Sequence, residues 1–139
     1  MGAWTLNIAA LGLGAALGAR ALIDPKWAAR FVRLQADAQP GGFAEFRATY
    51  GGLFFVSHAA ALCFSLDFVL GGESLSGVYA AGAAAVLAAA WAGSCGGRVI
   101  AMWRDKARTN FNLLSAAVEA ILALAIAAPW LLRSFSVPG

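Results

Sequence analysis

Four apolar stretches, at residues 3–23, 46–70, 75–99 and 109–132, constrain this chain more than any other feature of it. Each is long enough, at about 1.5 Å of rise per helical residue, to cross the roughly 30 Å hydrocarbon core of a bilayer. That core offers no water to backbone N–H and C=O groups, so a spanning segment must satisfy them internally, as a helix does. The alternation of apolar and polar residues that marks a strand is absent, and Ala and Leu dominate. The first stretch stops at Asp24 and Pro25, and the second at the "GGES" of residues 71–74. The reading is an all-α polytopic membrane protein, a bundle of four transmembrane helices forming one domain over residues 1–139. Composition agrees: 61% of residues are hydrophobic, 12% are charged, and the mean hydropathy is +0.74. Soluble domains are about a quarter charged, and a chain this apolar folded in water would expose large apolar surfaces. The opening "MGAWTLNIAA" lacks the basic n-region of a secretory signal, so the first stretch is expected to be retained as a helix.

Lys and Arg set the expected orientation. Arg20, Lys26, Arg30, Arg33 and Arg47 flank or occupy the link between helices 1 and 2, and Arg98, Arg104, Lys106 and Arg108 the link between helices 3 and 4. Only Arg133 falls on the other side, which makes the two links cytoplasmic and puts both termini outside. Trp4 and Trp130 would then mark the outer interface, and Trp27 and Trp103 the inner one. The basic residues lie beside apolar segments rather than in a soluble basic patch, so nucleic-acid binding is excluded.

The first link has a pattern of its own. In "KWAARFVRLQADA" (26–38), Trp27, Phe31 and Leu34 recur at i, i+4 and i+7, and Lys26, Arg30, Arg33 and Asp37 form a neighbouring stripe. This predicts a short amphipathic helix in the membrane interface, with Trp27 and Phe31 in the bilayer and Arg30 and Arg33 near anionic headgroups. "QPGG" (39–42) then turns the chain back toward the membrane. Two G-x-x-x-G pairs, Gly14/Gly18 and Gly93/Gly97, and the adjacent Gly51 and Gly52 mark candidate faces where helix backbones approach closely. Such faces serve packing within the bundle or a homo-oligomer.

Ionisable groups at membrane depth are costly and normally face the protein interior with a partner. Arg47 opens helix 2 with Tyr50 beside it, and His58 lies eleven residues further on, roughly 16 Å deeper. On helix 4, Asn112, Ser115 and Glu119 follow one another at i, i+3 and i+7, with Glu119 roughly 15 Å beyond Thr109. With Arg98 these residues form a candidate polar cluster on the cytoplasmic half: Arg47, Tyr50, His58, Arg98, Asn112, Ser115 and Glu119. Two readings stay open, a pocket for a small polar or lipid ligand and an internal network that fixes helix register.

Other chemistry finds no support. The chain has a single histidine, and Cys63 and Cys95 have no metal-binding or redox spacing, so no metal site and no cofactor are expected. No phosphate loop, no nucleophile elbow and no catalytic set at matched depth is present, so no catalytic residue is assigned.

"EFRATYGG" (45–52) resembles the start of the second helix in small bacterial membrane proteins grouped as domain of unknown function 4345, relatives of the DoxX-like four-helix proteins. "GRVIAMWRDKARTNFNLLSAAVEAILAL" (97–124) is similar to the later half of that family. The match places Glu45, Arg47, Tyr50, Gly51, Gly52, Arg98, Asp105 and Glu119 at the family's polar and glycine positions. It implies a four-helix fold in the bacterial inner membrane and no particular reaction. The turn "RDKARTN" (104–110) departs from the glycine- and proline-bearing turn of the family. "RTNFNLLSAAVE" (108–119) also shares residue types with the small four-helix membrane enzymes that use glutathione, at a longer Asn-to-Glu spacing. The leading expectation is a non-enzymatic bundle that binds a small or lipidic molecule or serves a larger membrane assembly. The alternative is a glutathione-type enzyme.

Overall fold

The computed structural model describes residues 2–38 and 41–132. In chain order it contains α1 (Gly2–Ile23), α2 (Pro25–Val32), a π-helical segment (Phe46–Leu53) that runs straight into α3 (Phe54–Val69), α4 (Ser74–Arg104) and α5 (Asn110–Leu131). No strand occurs among the described residues. Four continuous helical stretches, Gly2–Ile23, Phe46–Val69, Leu75–Arg104 and Asn110–Leu131, are long and apolar enough to cross a membrane. The fold is all-α, with the short α2 between the first two of them.

Local chemistry accounts for the ends. The Asp24 carboxylate accepts the Trp27 backbone N–H at 3.0 Å, and Pro25 occupies the first helical position, where no N–H is needed. α2 closes on Arg33, whose φ of 60° is left-handed, with the Leu34 N–H reaching back to the Ala29 carbonyl at 3.0 Å. Glycine usually takes that place. The closure stops α2 at Val32, so the expected Trp27–Phe31–Leu34 stripe does not continue through one helix. Thr109 caps α5 by accepting the Asn112 N–H at 3.2 Å. Between α4 and α5, Lys106 at φ 56° takes a left-handed conformation that glycine adopts more readily.

One expected boundary is corrected, and one stretch differs in pitch. α4 runs to Arg104 rather than Val99. Arg98 suggested a membrane edge, but backbone hydrogen bonding ignores side-chain charge, and a long arginine reaches a partner without ending its helix. The second long helix does not begin as a regular α-helix: residues 46–53 have the wider π turn. Gln39, Pro40 and Arg133, the last expected on the outer side, lie outside the described residues.

The chain forms two compact units: Leu11–Cys63, and the residues up to Ala10 together with those from Phe64 on. In Leu11–Cys63 the backbones are close. A Cβ on Gly18 would come within 2.7 Å of the Phe55 Cα, and one on Gly51 within 2.8 Å of the Leu22 Cα and N. A Cβ on Gly14 would run into the His58 imidazole. Ala21, Ala28, Ala29 and Phe46 form the core there, covered by Trp27, Val32, Phe43 and Tyr50. The close approach therefore depends on side chains of one carbon or none.

In the other unit α4 packs along α5. Ala80 and Ala84 are fully buried, and Trp4 packs on Phe68 with ring centroids 4.8 Å apart. Trp4 is thus a core residue, 4% exposed, whereas Trp103 is 80% exposed. Asn7 is completely buried: its side-chain N–H donates to the Ile126 carbonyl at 2.7 Å, and its carbonyl accepts the Ser65 hydroxyl at 2.9 Å. The Trp130 indole donates to the Ala81 carbonyl at 2.9 Å. Where lipid replaces water, cross-helix bonds of this kind are the directional glue.

Candidate functional site

The strongest polar constellation in a membrane-length segment lies between α4 and α5. Glu119 is nine residues into α5, roughly 14 Å from its first residue, and its side chain is only 8% exposed. A carboxylate there needs compensation. Arg98 of α4 supplies it: Nη2 donates to Oε1 at 2.7 Å, and Nε donates to Oε1 at 3.2 Å and to Oε2 at 3.1 Å. This fork matches the plane of the guanidinium to that of the carboxylate. Ser94, one turn before Arg98 on the same face of α4, donates its hydroxyl to Oε1 at 2.9 Å.

Asn112 orients the other edge of the guanidinium. Its Oδ1 accepts from Arg98 Nη1 at 3.2 Å, while its Nδ2 donates to the Ala107 carbonyl at 2.7 Å. The second bond fixes which end of the amide faces Arg98 and ties the cluster to the α4–α5 turn. The Phe111 ring centroid lies 6.0 Å from the guanidinium carbon, at the outer limit of a cation–π contact. No buried side-chain nitrogen or oxygen among the described residues lacks a hydrogen-bond partner.

The arrangement is asymmetric. Glu119 is enclosed, but the Arg98 side chain keeps 28% of its surface exposed. A guanidinium has five N–H donors. One from Nε, one from Nη1 and one from Nη2 meet Glu119 and Asn112. One donor on each terminal nitrogen meets no partner among the described residues. The cluster can therefore hold an anionic group against a cation whose own charge is balanced from behind.

The structure brings together Arg98, Asn112 and Glu119 of the expected set. Ser115, half-buried one turn before Glu119, makes no side-chain hydrogen bond among the described residues. Arg47, Tyr50 and His58 belong to the Leu11–Cys63 unit. There Arg47 donates through Nη1 to the Leu22 carbonyl and, at 3.5 Å, to that of Ile23. These last carbonyls of α1 have no intrahelical partner and carry the negative end of the helix dipole. Tyr50 stacks on Phe46, with centroids 5.5 Å apart. His58, 1% exposed, has Nδ1 2.7 Å from the Phe54 carbonyl and fills the space beside Gly14.

The glycines divide likewise. Gly14, Gly18 and Gly51 are closely approached, and a Cβ at Gly52 would make only an ordinary 3.5 Å contact with the Arg47 carbonyl. At Gly93 and Gly97 it would meet nothing within 4 Å. In the first link, Trp27 and Phe31 stack at 5.0 Å, and Arg20 lies 4.5 Å over the Trp27 ring. Arg30, Phe31 and Arg33 are exposed.

Two participants have no place in the sequence reading. Ser94 lies four residues before Arg98, a spacing that could have indicated a shared partner. Asn7 was a lone amide in an apolar stretch, which is itself a sign of a cross-helix bond. Among the described residues no group of three or more His, Cys, Asp or Glu is placed to hold a metal ion. Compared with family models, with curated proteins and with solved structures, the chain finds no match, so its functional reading rests on this geometry.

Proposed function

We propose that the chain is a multi-pass protein of the bacterial inner membrane that binds a small acidic ligand, a carboxylate or a phosphate, at Arg98. The observation that carries the reading is the asymmetric ion pair: Glu119 enclosed behind, Arg98 28% exposed in front. A pair serving register alone has no need of an open side. The resemblance around Arg47, Arg98 and Glu119 belongs to this proposal and brings no reaction with it. So does the orientation, with Lys and Arg of both links in the cytoplasm and the termini outside. A reporter fused after Gly139 then works only outside the cytoplasm.

The binding test is thermal denaturation in neutral detergent with laurate, glutathione and inorganic phosphate as probes. At least one should raise the midpoint of the wild type and leave Arg98→Gln/Glu119→Gln unmoved, since two amides can still hydrogen-bond to each other. Equal shifts in both proteins contradict the proposal. The glutathione enzyme is the second reading, favoured by the meeting of Arg98, Asn112 and Glu119. It predicts thiol transfer that disappears in Arg98→Ala. A role as a homo-oligomer or as a subunit of a larger assembly is favoured by the open Gly93/Gly97 face of α4, where small residues leave room for another helix.

A further inference from the structure

Within the Leu11–Cys63 unit, α2 and the chain after it line an open groove of about 610 Å³, formed by Lys26, Ala29, Arg30, Arg33, Leu34, Gln35, Ala36, Asp37 and Phe43. We infer that this groove is a binding site for the phosphodiester headgroup of an anionic lipid, held chiefly by Lys26 and Arg30.

Three kinds of observation meet here. The first is charge. Three cations line the groove against one carboxylate, Asp37. Arg33 and Asp37 each already have an interaction of their own. Among the described residues neither Lys26 nor Arg30 makes a side-chain hydrogen bond or ion pair. They are exposed and four residues apart, one above the other on the helix, so both ammonium and guanidinium reach the same anion. Asp24, which caps α2, and Glu45, which accepts the Thr49 hydroxyl, do not line the groove.

The second is amphiphilicity. Beside the cations, Leu34, Ala29, Ala36 and Phe43 line the groove, and Ile23, Phe31 and Leu34 are 78%, 55% and 51% exposed. A soluble phosphate needs only the cations, whereas a lipid needs both surfaces at once. The third is position. α2 begins two residues after α1 ends, so the groove sits where one membrane-length helix leaves its apolar run.

The inference rests on the membrane reading and is independent of the ligand proposed at Arg98. Its test is native mass spectrometry and thermal denaturation of the full chain in neutral detergent, with dioleoyl phosphatidylglycerol, dioleoyl phosphatidylcholine and sodium phosphate as separate probes. Each basic residue beside an anionic headgroup contributes about fivefold. The wild type should therefore prefer phosphatidylglycerol by roughly 20-fold over phosphatidylcholine. Lys26→Gln/Arg30→Gln, on an exposed surface that leaves the helix intact, should abolish that preference. Arg98→Gln/Glu119→Gln should keep the full preference. Undiminished preference in Lys26→Gln/Arg30→Gln overturns the site. Displacement of the lipid by millimolar phosphate overturns the lipid as its occupant. A chain that stays monodisperse without detergent would instead refute the membrane reading.

Discussion

Two arginines near the ends of long helices do different work in the two units. Arg47, in the Leu11–Cys63 unit, turns to the backbone and caps the final carbonyls of α1. Arg98, six residues before the end of α4, turns to a carboxylate inside the neighbouring helix and stays partly exposed. The glycine pairs differ in the same way. Gly14 and Gly18 are closely approached, while Gly93 and Gly97 face open space. At Gly14 and Gly18 one unit is held by close approach and has no room for an added methyl. The other has room at Gly93 and Gly97, and directional polar bonds join its α4 and α5. Identical motifs thus acquire their meaning from what the fold places opposite them.

Four substitutions break or sharpen this contrast, and thermal denaturation in detergent reads each of them. The largest effect belongs to Arg98→Leu, which leaves Glu119 enclosed without its cation and should cost about 3 kcal/mol. Arg98→Leu/Glu119→Leu should recover most of that loss, because no uncompensated charge remains. If the double variant is as unstable as the single one, the ion pair is not what couples α4 to α5.

Next comes Gly18→Ala, whose methyl meets the backbone of Phe55 rather than a movable side-chain tip, for a loss of about 2 kcal/mol. A smaller loss, about 1.5 kcal/mol, is expected for Asn7→Leu, which strips the Ser65 hydroxyl of its acceptor and the Ile126 carbonyl of its donor. The smallest change has the opposite sign. Gly93→Ala should be neutral or stabilising by up to about 1 kcal/mol, since alanine is the better helix former and nothing stands in its way. A Gly93→Ala protein as damaged as Gly18→Ala would remove the contrast between the two units.

The four long helices were legible because hydrocarbon leaves a backbone so few choices. Runs such as "LLSAAVEAILALAIAAPWLL" (113–132) declare themselves by length and composition alone. Boundaries were less legible where charge and backbone disagree. Arg98 marks chemistry within α4 rather than the end of that helix. The π turns of residues 46–53 left no sequence signal beyond Gly51 and Gly52, which permit close approach but do not specify helical pitch. Of the polar cluster, the spacing from Asn112 to Glu119 correctly put both on one stripe of α5. Spacing within one helix says nothing about partners on another, so it put Arg98 in one cluster with Glu119 without singling it out among the candidates, and it did not reveal that Arg47 answers Leu22. Ser94 and Asn7 escaped notice because single polar side chains in apolar helices carry no periodicity.

The central claim is that the open side of Arg98 holds an acidic ligand while Arg47 has a purely structural task. Native mass spectrometry of the protein extracted in mild detergent tests it most directly, by comparing the wild type, Arg47→Gln and Arg98→Gln/Glu119→Gln. The account predicts an acidic adduct on the wild type, the same adduct on a less stable Arg47→Gln protein, and none on Arg98→Gln/Glu119→Gln. An adduct that survives loss of the Arg98–Glu119 pair, or that disappears with Arg47 alone, would contradict it.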